Sequence, residues 1–116
     1  MNIKQFDIWI ANLNPAGRTV PGKIRPVVII QTNHLNTVNH PSTIVLPITS
    51  DIYKEAKLLR INLTPDFENG LEKESAILID QIRTIDNKKL IQKIGSISPL
   101  LHKKIRESIA VVLNLS

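Results

Sequence analysis

The chain has 116 residues, no cysteine, and 15 Lys and Arg against 10 Asp and Glu, a formal net charge of +5. That length bounds it to one domain spanning residues 1–116 around a single core, and the lack of cysteine excludes disulfides and thiolate zinc sites and suits a reducing cytoplasm. The only aromatics are Phe6, Trp9, Tyr53 and Phe67, which argues against an RNA platform of stacked rings; no apolar run reaches membrane-spanning length, and the basic balance favours a polyanion or an acidic protein as partner.

Along the chain, Phe6-Asp7-Ile8-Trp9-Ile10 reads as a first strand, with Phe6, Ile8 and Ile10 on one face and Trp9 on the other. Asn14-Pro15-Ala16-Gly17 is turn chemistry, and the stretch through Gly22 is too rich in Gly and Pro for a regular element. A second strand is predicted over 26–31, with Pro26 at its first position, where a missing N–H is tolerated. Arg25 precedes it, and a residue before proline is pushed toward extended backbone. The result is one permanently charged side chain fixed at the mouth of the aliphatic run Val27-Val28-Ile29-Ile30, a geometry suited to a phosphate.

The polar stretch 32–42 reads as a loop, and Thr43-Ile44-Val45-Leu46-Pro47-Ile48-Thr49 as a third strand that Pro47 confines to an edge or a bulge. A charged loop over 51–57 precedes a period-two strand, Leu59-Arg60-Ile61-Asn62-Leu63. Asn69-Gly70 marks a turn, and residues 75–83 read as one further strand. A short helical turn is expected over 88–92 and a last strand over 93–97. Ser98 as N-cap and Pro99 at the first helical position open a closing helix, along which Leu101, Ile105, Ile109, Val112 and Leu113 recur at helical spacing. The pattern is mainly β with a C-terminal helix, and short curved strands of this kind suit a small barrel.

His34, His40 and His102 lack the paired spacing of a zinc site and read as surface residues, with His34 the one that follows a strand. No glycine loop leads into Lys-Ser or Lys-Thr, so no phosphate-cradling motif is present. Polar residues at strand ends carry more information, because a rigid scaffold positions them and loops keep them accessible. Arg25, then Thr49 with Ser50, then Asp80 and Gln81 with Arg83 are such places. Spacing alone favours ordinary roles for them: a surface ion pair for Arg25, and local turn bonds for Thr49 and Asp80.

Taken in order, Asp7-Ile8-Trp9 with Asn14-Pro15, the block from Gly22 to Gln31, the block from His40 to Ser50, and Ser75 through Asp86 form a set; Lys93-Ile94-Gly95 follows before the last helix. Nearly the whole chain resembles the MazF/PemK family of toxins from bacterial toxin-antitoxin systems. The resemblance implies a small Src-homology-3-like barrel of the MazF/PemK/CcdB type. It also implies a homodimer and a cytoplasmic, metal-independent endoribonuclease, without a cofactor, that cuts single-stranded messenger RNA within short motifs. An acidic cognate antitoxin, whose flexible segment lies across the RNA groove, is the implied protein partner.

By matching position, the resemblance implies Arg25 and Thr49 as the catalytic pair and Asp80 as a carboxylate used as a base in some members. Lys23, Gln31, Ser50, Gln81 and Arg83 are the implied substrate contacts. The chain departs from the family in the loop before Arg25. Many members carry a glutamate there, whereas this chain has Val20, and Arg18 and Thr19 align only loosely. Leu78 stands where some members have a basic residue. Two other readings compete: a non-enzymatic gyrase inhibitor on a related barrel, which would depend on the end of the last helix, and a nucleic-acid-binding barrel without chemistry.

Overall fold

The computed structural model describes residues 1–15, 23–51 and 59–115. Val20, Arg18 and Thr19, together with residues 52–57 of the charged loop, lie outside the described residues. The strands are β1 (Asp7–Asn12), β2 (Ile24–Ile29), β3 (Ser42–Thr49), β4 (Arg60–Leu63), β5 (Ser75–Leu78), β6 (Arg83–Asp86) and β7 (Leu90–Ser96). A short helix α1 (Asn33–Asn36) follows β2, and the long helix α2 (Pro99–Leu113) closes the chain. The strands lie in the order β4-β5-β3-β2-β1-β7, and β6 joins β3 on the same side as β5. Every pairing is antiparallel.

The two faces of the curved sheet bury separate aliphatic clusters. Inside, Ile8, Val28, Leu46, Ile48, Ile61, Leu63 and Ile77 meet Ile105 of α2. On the other face Trp9, Ala11, Val27, Ile29, Val45 and Ile85 pack together. Successive strand side chains point to opposite faces, so Ile8 and Trp9 serve different cores, as the alternation predicts. Ile10 does not join Ile8: it is half-buried, next to a shift in the β1–β7 register.

β3 is the axis of the fold. Its first half, from Ser42 to Val45, pairs with β6, and its end, Ile48 and Thr49, pairs with β5. Pro47 falls between the two partners, so its missing N–H costs no ladder bond on that side; of the edge or bulge that the sequence suggested, the edge is not where it stands, since β3 is a central strand. The same division explains the break in the expected strand over 75–83. A 3-10 turn, Ile79–Gln81, separates β5 from β6, letting consecutive segments cover both halves of β3. Pro26 is likewise the third residue of β2, opposite Ile10, on the stretch that β3 does not flank.

The expected loop at 32–42 begins with α1, because the Thr32 side chain accepts from the His34 N–H as an N-cap. The helical turn expected over 88–92 is a 3-10 turn, Asn87–Lys89, and β7 starts three residues earlier than its pattern suggested. α2 has the expected ends. The Ser98 side chain accepts from the Leu100 N–H, Pro99 opens the helix, and Asn114 closes it in the left-handed conformation. Leu101, Ile105, Ile109 and Val112 face the core, while Leu113 is exposed. His102 is not a plain surface residue: its ring stacks on Phe6 with centroids 3.8 Å apart, and its Nε2 lies 3.0 Å from the Ile97 carbonyl oxygen.

Backbone contact brings the turn after β4 against β7. Ser96 N–H donates to the Glu68 carbonyl at 2.9 Å. A Cβ on Gly70, whose φ is +68°, would lie 2.1 Å from the Ile94 carbonyl oxygen, so only glycine fits. The Asn69 side chain fastens the turn, accepting from Asp66 and Leu71 N–H and donating to the Thr64 carbonyl. Asp7 ties the other end. Its carboxylate accepts from Lys4 N–H and Trp9 Nε1 and sits 3.2 Å from Lys93 Nζ.

Candidate active site

β2 and β3 pair from Val27 to Ile29, opposite Pro47 to Val45. Continued, that register would set Arg25 opposite Thr49 and Lys23 opposite Asp51. Pairing has ended there, because β3 now follows β5 and β2 remains with β1. The two strands therefore part where their polar residues stand, and a cleft of about 690 Å³ fills the gap. Lys23, Arg25, Thr49, Ser50 and Asp51 line it from the parted strands. Ile10 and Ile94 add apolar surface, and the fastened turn supplies Gly70, Leu71, Glu72 and Lys73 as a further wall.

Thr49 is 8% exposed, and its Oγ1 accepts the Asp51 N–H at 3.0 Å. A hydroxyl that accepts in this way still has its own proton to donate. The Asp51 carbonyl in turn accepts from Arg60 Nη1 at 2.9 Å, which holds the end of β3 in place. Arg25 is half-buried at the start of β2; its planar guanidinium offers up to five donors and stays cationic. Lys23, Arg25 and Lys73 contribute three cations to the lining against the carboxylates of Asp51 and Glu72. Such a cleft attracts a phosphodiester and can meet it with donors from two sides.

The remaining residues singled out from the sequence are elsewhere. Gln31 is 3% exposed and spent within the fold: its Nε2 donates to Asn36 Oδ1 and the Ser42 carbonyl, and its Oε1 accepts from Ile44 N–H. The family resemblance implied a substrate contact at Gln31, but α1 folds back and Asn36 engages its side chain. Asp80 and Gln81 are on the 3-10 turn after β5, and neither lines the cleft. Arg83 is on β6 opposite Val45, with Nη2 3.5 Å from the Leu13 carbonyl oxygen. Conversely, the wall at 70–73 had no reading beyond its Asn-Gly turn; the tight fit of Gly70 against Ile94 is the signal that it is fixed in place. Among the described residues no group of three or more His, Asp or Glu is placed to hold a metal ion, and no helix is long and apolar enough to cross a membrane.

Comparison with known proteins adds a family. The model described as PemK-like, MazF-like toxin of type II toxin-antitoxin system matches residues 4–113. The protein named Endoribonuclease EndoA from Bacillus subtilis (strain 168) is 33% identical over 115 residues, which cover 99% of this chain and 97% of that protein. MazF from Deinococcus radiodurans superposes with a TM-score of 0.81 at 16% identity, covering 99% of each chain. An endoribonuclease solved in complex with its cognate antitoxin, from a mycobacterial species, gives a TM-score of 0.78 at 17% identity, with 98% of this chain and 97% of that one covered.

Proposed function

Since the chain belongs to the PemK-like, MazF-like toxins of type II toxin-antitoxin systems, we propose that it is an endoribonuclease that cuts single-stranded RNA in the cleft between β2 and β3. The observation that carries this reading is the convergence of Arg25 and Thr49 on one cleft, from strands that part just past the last pair, Val27 opposite Pro47. Messenger RNA in the cytoplasm is the substrate, and blocked translation is the toxic outcome.

In this mechanism the RNA 2′-hydroxyl attacks its own adjacent phosphate, leaving a 2′,3′-cyclic phosphate and a 5′-hydroxyl. Negative charge builds on the non-bridging oxygens as the phosphorus becomes pentacoordinate. Arg25 neutralises that charge, and Thr49 donates its hydroxyl proton to one of the same oxygens. Both groups are set by the scaffold before RNA arrives, so little reorganisation is needed at the moment of reaction. Lys23 and Ser50, on the same lining, hold the flanking phosphates. No metal is required, because the charge a metal would supply comes from Arg25. The gyrase-inhibitor alternative gives this convergence nothing to do.

The same surface serves regulation. A mycobacterial protein of this fold was solved with its cognate antitoxin, and a net charge of +5 suits an acidic antitoxin segment that competes with RNA. The working form is a homodimer. Incubation of purified protein with a long single-stranded RNA in excess EDTA, followed by mapping of the cut ends, tests the reading. Discrete cuts bearing cyclic phosphate and 5′-hydroxyl ends are expected; intact RNA, or cleavage only when divalent metal is restored, overturns it.

A further inference from the structure

Cleavage by a 2′-hydroxyl needs an acceptor for the hydroxyl proton, and neither Arg25 nor Thr49 can serve. A guanidinium remains protonated, and a threonine hydroxyl is committed as a donor once it binds phosphate oxygen. The residue at position 20 is valine, which accepts no proton, and Asp80 is on the turn after β5, off the cleft lining. Two described carboxylates do line the cleft with Arg25 and Thr49, namely Asp51 and Glu72.

We propose that Asp51 is the general base of this cleft. The inference rests on the ribonuclease reading above and adds to it the residue that moves the first proton. Three observations select Asp51 over Glu72. Its backbone N–H donates to Thr49 Oγ1 at 3.0 Å, so the carboxylate is anchored one short link from the hydroxyl that touches the phosphate. Its carbonyl is held by Arg60 Nη1 at 2.9 Å, which fixes the backbone that carries the side chain. It stands two residues past the end of β3, on the chain that leads straight on from Thr49, whereas Glu72 comes from the separate turn that walls the cleft. An attacking 2′-oxygen stands roughly 3–3.5 Å from its phosphorus, so the base must stand beside whatever holds that phosphate.

The step balances without a co-reactant beyond water. The 2′-O–H bond breaks, and the proton passes to a carboxylate oxygen of Asp51 as the 2′-O–P bond forms. The P–O5′ bond then breaks, the 5′-oxygen takes a proton from water, and Asp51 returns its proton to solvent. Lys23, Arg25 and Lys73 on the same lining offset the carboxylate charge that would otherwise repel the backbone. Removing that charge should therefore leave RNA affinity equal or higher, which a merely structural residue would not do.

The experiment measures single-turnover cleavage and RNA affinity for Asp51→Asn, Asp51→Glu, Glu72→Gln and Asp80→Asn, on an oligonucleotide centred on a cut site mapped with the wild type. Asp51→Asn should slow cleavage by about 10²-fold or more, within the range of general-base removal, with RNA bound at least as tightly and Asp51→Glu restoring part of the rate. A second oligonucleotide has sulfur in place of the scissile 5′-oxygen, a leaving group that needs no proton. The Asp51→Asn defect should persist on it. Wild-type rates for Asp51→Asn, the loss appearing instead in Glu72→Gln or Asp80→Asn, or rescue of Asp51→Asn by sulfur each overturn the assignment. Should Asp51→Asn melt early, Asp51→Ser is read in its place by the same criteria. A wild-type protein that leaves RNA intact removes the ribonuclease reading itself, a result distinct from all of these.

Discussion

β3 contains two buried threonines, and its two ends have opposite characters. Thr43, at the start, is flanked by β6, and its Oγ1 donates to Asn87 Oδ1, whose amide in turn donates to the His40 carbonyl. Beside it Gln31 and Asn36 satisfy one another. Thr49, at the other end, has lost β2 as a neighbour, and among the described residues its side chain bonds to the N–H of Asp51 just past the strand. The first end is a closed polar network in which every group is used within the fold. The second is open, with a donor aimed at a cleft. The same side chain in the same strand is thus enclosed by the fold or left beside an open cleft according to whether the neighbouring strand stays or leaves.

Four substitutions separate the two ends. Arg25→Ala acts at the open end and should lower kcat/KM by about 10²–10³, some 2.7–4 kcal/mol of transition-state stabilisation, far beyond any change in melting temperature; rates and melts on the same preparation decide it. Thr49→Val should follow, losing about 1.5–3 kcal/mol of activity for a hydrogen bond to a charged group, while its chemical-denaturation midpoint stays near that of the wild type. Gly70→Ala tests the wall, since its Cβ would meet the Ile94 carbonyl and φ is positive; about 1–3 kcal/mol of stability should go, with a smaller fall in cleavage as the turn shifts. Thr43→Val, at the closed end, should cost about 1 kcal/mol of stability by stranding Asn87 and leave the activity per folded molecule as it was. If Thr43→Val proved the catalytic lesion and Thr49→Val the structural one, the contrast between the ends would be reversed.

Local chemistry made much of the fold legible. Ser98, Pro99 and the spacing of Leu101, Ile105, Ile109 and Val112 specify α2 because capping and helical period are properties of neighbouring residues; Leu113 fails only because it rotates off the buried face. Ile61 and Leu63 mark β4 by alternation in the same way. The run from Ser75 to Arg83 misled, since aliphatic residues on both sides of Asp80 and Gln81 read as one strand. The turn that splits it exists to serve β3, which a local pattern cannot express. Gln31 misled for a similar reason, as its partners come from α1 and from β3.

By itself the sequence determined the building blocks: an aliphatic, cysteine-free, basic chain with short strands, a capped last helix, and single polar residues at strand ends, among them Arg25 and Thr49. These follow from backbone preferences and side-chain chemistry within a few residues. Tertiary structure alone decided that β2 and β3 pair for three residues and then part, that Gly70 fits against Ile94 to make a wall, and that Asp51 rather than Asp80 shares the cleft with Arg25 and Thr49. Those outcomes depend on register and on which strand claims each half of β3, and no stretch of neighbouring residues encodes a choice made between segments far apart in the chain.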